Sequence, residues 1–286
     1  MPAVTPLLVK QLRERTDQPM GLCKQALDQN DGDMEKAIDY LKKLNSKMQA
    51  KREGNETAEG RIGAFYDNAA KVAALAEVRC ESAPSAKSDQ FIALANDLAK
   101  HAAGSSATEV PALLTEKFGT GTVEDRINDV VGVIREKMVL HKFERVTGHV
   151  CGSYIHHDGT VGVLVVCSGT PTAPTDELLR DVAAHIAALN PPYTLPAAVP
   201  AEQMDKEKAT VKADMDADAK MAGKPANILE KIAADKLSKR LSEYVLSEQQ
   251  MANDIKDPKT SVGAALKKAG LEPVRFVRFK VGAVAL

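Results

Sequence analysis

One unit occurs twice in this chain, and the duplication constrains the fold more than anything else in the sequence. Over residues 148–192 it reads Gly148-His-Val-Cys-Gly-Ser-Tyr154, then His156-His157-Asp158-Gly159, then Val161-Gly-Val-Leu-Val-Val-Cys167, a Pro-containing break and a helical run over 176–190. Asp158-Gly159 between two apolar runs is a hairpin signal, because Gly takes the positive φ such a turn demands. The same order appears earlier. Gly60-Arg-Ile-Gly-Ala-Phe-Tyr66 leads to a turn at Asp67-Asn68, then Val72-Ala-Ala-Leu-Ala-Glu-Val-Arg-Cys80 and a helix over 91–102. Tyr66 aligns with Tyr154, Cys80 with Cys167, and Leu98-Ala-Lys-His101 with Val182-Ala-Ala-His185. A duplicated unit of this kind predicts an α+β fold: two small antiparallel sheets, each covered by helices and packed as one core.

Composition narrows the function classes. The 286 residues suit one large domain or two to three small ones. With 27% charged and 44% hydrophobic residues the chain reads as soluble and globular. A formal net charge of -1 leaves no broad basic field for phosphate backbones, so nucleic acid is not an expected partner. No apolar run approaches the ~20 residues of a membrane span, and no secretory signal pattern opens the chain. Cys23, Cys80, Cys151 and Cys167 are widely spaced, which suits reduced thiols in the cytoplasm.

The N-terminal stretch predicts a helical module. Thr5 can cap a helix with Pro6 at its first position, where a missing N–H costs nothing. Leu8 and Leu12 share a face of that helix over 7–15, and Asp17-Gln-Pro19 breaks it. A second helix over 22–29 carries Leu22, Ala26 and Leu27, with Met20 in the loop before it and little reason to be buried. Asp31-Gly32 stops it and Asp33 caps a third, where Met34, Ile38, Leu41 and Leu44 recur at helical spacing. Such a bundle, about 45 residues long, is marginal alone. Lys42, Lys43, Lys47, Lys51 and Arg52 then read as a solvated helix face, and residues 53–57 as a linker.

Leu12-Arg-Glu-Arg-Thr16, Met20, Cys23-Lys24, Ala26-Leu27 and Gly32-Asp33 followed by Ala37-Ile38 resemble the start of the elongation factor Ts family. Its N-terminal module is similar to a ubiquitin-associated three-helix bundle. The resemblance continues along the chain. Gly152-Ser-Tyr-Ile-His156 resembles the family's Gly-Ser-Tyr-x-His strand, and Ala184-His-Ile-Ala-Ala188 before Pro191 its His-Ile-Ala-Ala helix end. Residues 200–251 are charged and helical, with runs over 202–221 and 228–249 split by Gly223-Lys-Pro225. This predicts a projecting helical hairpin, its second arm carrying a narrow apolar stripe of Leu229, Leu237, Leu241 and Val245. Its Gly-Lys-Pro tip and Ile228-Leu-Glu-Lys-Ile232 match the family. So does a closing strand over 274–279, after a helix near 262–266 and a stop at Gly270. Many members continue into a C-terminal helical segment, for which no residues follow Leu286.

The family implies guanine-nucleotide exchange on elongation factor Tu, in its GDP-bound and nucleotide-free forms, with no cofactor. It also implies partner-binding positions: Arg13 and Met20 in the module, Val131-Gly132 in place of an Ile-Gly pair, and His156. One departure stands out. The family carries Cys-x-Thr-Asp-Phe-Val where this chain has Cys80-Glu-Ser-Ala-Pro-Ser85, so Ser82, Ala83 and Pro84 replace Thr-Asp-Phe in what reads as a loop. The expected division is a module over 1–52, a core subdomain over 53–146, and a second over 147–286 with the hairpin inserted at about 201–250. Homodimerisation stays open.

Enzyme chemistry finds no constellation. His156 and His157, as neighbours on a strand, would point to opposite faces and not share a metal ion. His185 reads as a hydrogen-bonded core or rim residue. No nucleophile elbow and no phosphate-binding loop is present. The competing class is a scaffold module that holds another protein without exchange activity, and the lost Thr-Asp-Phe keeps it in play.

Overall fold

The computed structural model describes residues 4–221, 224–252 and 260–282. Three helices open the chain: α1 (Pro6–Thr16), α2 (Met20–Gln29) and α3 (Met34–Lys51). The caps read from the sequence are made, with Thr5 accepting from the Leu8 N–H at 3.2 Å and Asp33 from the Lys36 N–H at 3.0 Å. Asp31 and Gly32 turn the chain through positive φ between α2 and α3. Leu12, Cys23, Ala26, Leu27, Ala37 and Leu41 close a small core between the helices.

The first repeat follows as β1 (Glu59–Asp67), β2 (Val72–Cys80), a short helix α4 (Ala83–Ala86) and α5 (Asp89–Gly104). Next come α6 (Val110–Leu114), a two-residue pair β3 (Lys117–Phe118) and β4 (Gly121–Thr122), α7 (Val123–Ile134) and β5 (Met138–Thr147). Thr122 and Asp125 form a reciprocal capping box at the start of α7. The second repeat runs β6 (Val150–Ile155), β7 (Val161–Gly169) and α8 (Asp176–Leu189). After the hairpin helices α9 (Ala201–Asp216) and α10 (Ala226–Leu241), α11 (Val262–Lys268) and β8 (Leu271–Lys280) complete it.

The two sheets are built alike, in the orders β1-β2-β5 and β6-β7-β8, all antiparallel. In each, the second hairpin strand is central and a later strand returns to flank it. Cys80 and Cys167 both face the covering helices, buried with Leu98 and Val131 on one side and with Val182 and Leu266 on the other. Ile62, Leu75, Leu164, Val166 and Val277 fill the space between the sheets. The result is four layers, helices–sheet–sheet–helices, with three apolar seams.

Two expectations are corrected here. Tyr66 and Tyr154 are not equivalent. Tyr66 pairs with Ala73, seven residues before Cys80, and Tyr154 with Val163, four before Cys167. With a side-chain period of two, they sit on opposite sheet faces, Tyr66 between the sheets and Tyr154 toward the helices. The hairpin arms are also shorter than the 202–221 and 228–249 runs. After Leu241 the chain turns back, bridges Val245 to Tyr193 and buries Leu246 in the second repeat's core. Pro225 caps α10, while Gly223 lies outside the described residues.

Candidate functional site

The expected partner-binding residues divide by exposure. Arg13 is exposed on α1. Met20 is not in a loop but is the first residue of α2, after Pro19, and is 53% exposed. A flexible, polarisable side chain held outward at a helix end can adapt its shape to a partner's surface. Gln18, in the same turn, is buried and docks the module on the core by donating its amide to the Asp129 carbonyl at 3.0 Å.

Ser82, Ala83 and Pro84 form no loop. Ser82 caps α4, and Pro84 occupies its first turn, where its missing N–H goes unneeded. Two carboxylates clamp this turn. Glu136 accepts the Ser82 N–H at 3.1 Å and its hydroxyl at 2.7 Å. Glu81 accepts the Lys137 N–H at 2.6 Å, Arg52 at 2.9 Å and Asn55 at 2.9 Å. The Lys137 N–H foremost, then Asn55 and Arg52, holds the Glu81 carboxyl below its usual range. Ala83 is half-buried and Pro84 exposed. Glu81 and Glu136 escaped the sequence reading because a carboxylate's partners 56 residues away leave no local signal. The Ser-x-Pro cap did leave one.

Val131 and Gly132 are corrected from surface to interior. Val131 is fully buried in the first repeat's core. Gly132 lies against α3, where an added Cβ would stand 2.2 Å from Asn45 Oδ1. Neither offers surface to a partner in this conformation.

His156 follows the end of β6, with Nδ1 3.2 Å from the Tyr154 hydroxyl. Strand alternation does not apply to it and His157, because both belong to the turn. Their rings meet edge-on with centroids 4.3 Å apart, instead of pointing to opposite faces. Gly159 closes this turn at φ 77, so close to Arg61 that a Cβ would stand 2.5 Å from the guanidinium. Among the described residues no group of three His, Cys, Asp or Glu side chains is arranged to hold a metal ion.

The structure brings part of this set together. Cys80, which leads into α4, pairs with Glu59 at the start of β1. Three residues on, the Ile62 N–H donates to the Gly159 carbonyl at 2.9 Å. The α4 turn and the His156–Gly159 turn therefore border the same end of β1. Beyond α4, the start of α5 shares a cleft with residues 15–18 of the module.

The thiols are not placed for nucleophilic work. Burial pushes Cys80 and Cys167 up to about 12 and Cys151 up to about 11. His185 is fully hydrogen-bonded: Nδ1 accepts the Ala252 N–H at 3.1 Å, so Nε2 carries the proton toward Gln249 Oε1 at 2.9 Å. Among the described residues no helix is long and apolar enough to cross a membrane.

The fold defines a class: an α+β protein of two repeated three-stranded units, with a helical module at one end and a helical hairpin inserted in the second unit. Comparison with known proteins makes the class specific. The family model described as Elongation factor TS matches residues 81–283. Elongation factor Ts of Methylococcus capsulatus is 39% identical over 98% of this chain and 92% of its own length. The Pseudomonas fluorescens protein of that name is 39% identical over 99% and 92%, and that of Marinobacter nauticus 36% over 99% and 92%. The chain belongs to the elongation factor Ts family, and so to the elongation factors of protein synthesis.

Proposed function

We propose that this protein is a guanine-nucleotide exchange factor that releases GDP from elongation factor Tu in the cytoplasm. The observation that carries the reading is the end-to-end match to elongation factor Ts proteins, over 98% of the chain in one case. The mechanism is linkage. A protein that binds the nucleotide-free GTPase best weakens GDP by the factor by which GDP weakens it. That needs differential contacts and no proton transfer or covalent step, so the protein is no catalyst of a chemical reaction. In this reading Arg13 and Met20 hold the partner through the module, while Pro84 on its clamped turn and His156 face it from the end of β1. The module is 1–52, and the core subdomains are 53–146 and 147–286, the hairpin adding contact area.

Ala83 and Pro84 favour a second reading, a scaffold that binds without driving exchange, because they lack the carboxylate and ring of the family's Asp-Phe. One experiment separates the two: release of a fluorescent GDP analogue from elongation factor Tu, with and without this protein. Exchange predicts a saturable acceleration that His156→Ala lowers about tenfold, or ~1.4 kcal/mol of coupling. Ala83→Asp with Pro84→Phe raises it. Binding without acceleration establishes the scaffold instead.

A further inference from the structure

The ladder between β2 and β5 ends where Cys80 faces Met138. Past that pair the two segments stay joined, but by side chains. Arg135, in a left-handed conformation at φ 65, ends α7 and turns the backbone sharply. Glu136 and Lys137 then come up beside Glu81 and Ser82. Glu81 accepts the Lys137 N–H at 2.6 Å, and Glu136 accepts the Ser82 N–H at 3.1 Å. Each junction offers a carboxylate to the other's backbone, where a continued ladder would use a carbonyl. Hydrogen bonds to an ionised acceptor are about twice as strong as neutral ones.

The α4 turn hangs from this clamp. Ser82 caps it and gives its hydroxyl to Glu136 at 2.7 Å, while Ser85 and Ala86 are buried beneath it. Pro84 is what it exposes, and the ring fixes that residue's φ. Glu81 also ties the turn to the N-terminal module, accepting from Arg52 at the end of α3 and from Asn55 of the linker, both at 2.9 Å. A single helical turn does not hold its own shape in water, because its few hydrogen bonds do not offset the dihedrals they fix. The two carboxylates hold it from outside.

We propose that Glu81 and Glu136 are positioning residues for nucleotide exchange, which keep the α4 turn stiff so that Pro84 presses on the partner without the carboxylate or ring of the family's Asp-Phe. This rests on the exchange-factor reading above. A turn that yields meets the GDP-bound and nucleotide-free partner equally well and shifts nothing between them. A stiff turn discriminates, and only that difference weakens GDP. Both carboxylates are occupied by the clamp and act through the turn.

The test measures release of a fluorescent GDP analogue from elongation factor Tu, titrated with the full chain and its variants. Glu136→Ala should lower the maximal rate about tenfold while the half-saturating concentration stays within about twofold, because Arg13 and Met20 still hold the partner. Glu81→Ala should lower the maximal rate likewise. Glu136→Gln should retain most of it: the amide oxygen accepts the Ser82 N–H, and the amide nitrogen donates to the Ser82 hydroxyl turned around. Asp67 is the control. It accepts the Ala69 and Ala70 N–H groups at 2.9 and 3.0 Å at the opposite end of the β1–β2 hairpin. Asp67→Ala should lower the melting temperature without lowering the rate. If Glu136→Ala does not fold, Ser82→Ala, which keeps the backbone bond to Glu136, should lower the rate in the same direction. An undiminished maximal rate in the clamp variants, or an equal loss in Asp67→Ala, overturns the inference and leaves the exchange reading standing. A parent protein that does not accelerate release overturns both.

Discussion

Gly132 lies where α3 crosses α7, and its missing side chain sets the distance between them. Asn45, opposite it, is 1% exposed, and an added Cβ would stand 2.2–2.6 Å from its carboxamide atoms. Gly132→Ala should therefore cost about 1–3 kcal/mol, as overpacking does, seen as a lower melting temperature even though the residue has a better helix propensity. An unchanged or raised melting temperature would show that the seam yields. His185 gives a pH signature. Burial holds its imidazole below the ordinary value of 6.5, against the Gln249 bond, and a second ring proton would point at the Ala252 N–H. The unfolded chain then takes up the proton first as pH falls, so stability is full above about pH 6.5 and drains as pH drops toward the folded value. Urea midpoints measured between about pH 7.5 and 5.5 should fall, and His185→Gln should flatten that slope. An equal slope in the variant removes His185 as its source. At this scale the sequence was an uneven guide. His185, which the sequence reads as a hydrogen-bonded core or rim residue, is buried and bonded at both ring nitrogens. The burial of Val131 and Gly132 was not legible, because their exposure depends on where α3 packs, a contact with no trace in local pattern.

Among elements, the hairpin separates what projects from what is structural. Along the arms the apolar contact is thin, with Val211 and Leu241 the only buried residues among those described in α9 and α10. At the root, Val199, Leu241 and Val245 pack together with Tyr193, Met204 and Leu237. Leu246, just beyond, belongs to the core of the second repeat. Fully burying a Val or Leu contributes about 1.5–3 kcal/mol each, a large part of a total near 5–15 kcal/mol. Replacing residues 208–236 by a short linker should therefore leave the melting temperature nearly unchanged. Replacing 204–247 should destabilise the protein severely or yield none that folds. Equal stability of the two deletions would contradict this placement of the root. Helical period and the Pro225 cap located the arms, but charged helix and buried return segment share one composition. The end of α10 at Leu241 was therefore hidden. The α4 turn was missed for a related reason: a four-residue helix is too short to show a period, and only its Ser82 cap and Pro84 announce it.

For the whole molecule, the duplication read from sequence gave the layers but not how tightly they are joined. The module is not a free domain. Met48 of α3 packs into the first repeat's core, Gln49 accepts the Met138 N–H at 3.3 Å, and Gln18 binds α7. The two repeats in turn share the inter-sheet seam of Ile62, Leu164 and Val277, which neither sheet can bury alone. With every boundary crossed by apolar contacts, residues 4–200 and the second repeat should melt in one cooperative step, with calorimetric and van't Hoff enthalpies equal apart from the hairpin arms. A resolved second transition for the module would contradict this. The same rigidity bears on the proposed function. If Met20 on the module and His156 beside β1 meet the partner from one stiff body, neither contact has to order the other. Their effects on complex formation should then add. Met20→Ala should leave the melting temperature nearly unchanged, since the side chain is 53% exposed. In a double-mutant cycle with His156→Ala, the coupling should stay within about 0.5 kcal/mol of zero, as for distant sites with no shared partner. A coupling above about 1 kcal/mol would mean that the module moves on the core when the partner binds, and that the α3–α7 seam is a hinge.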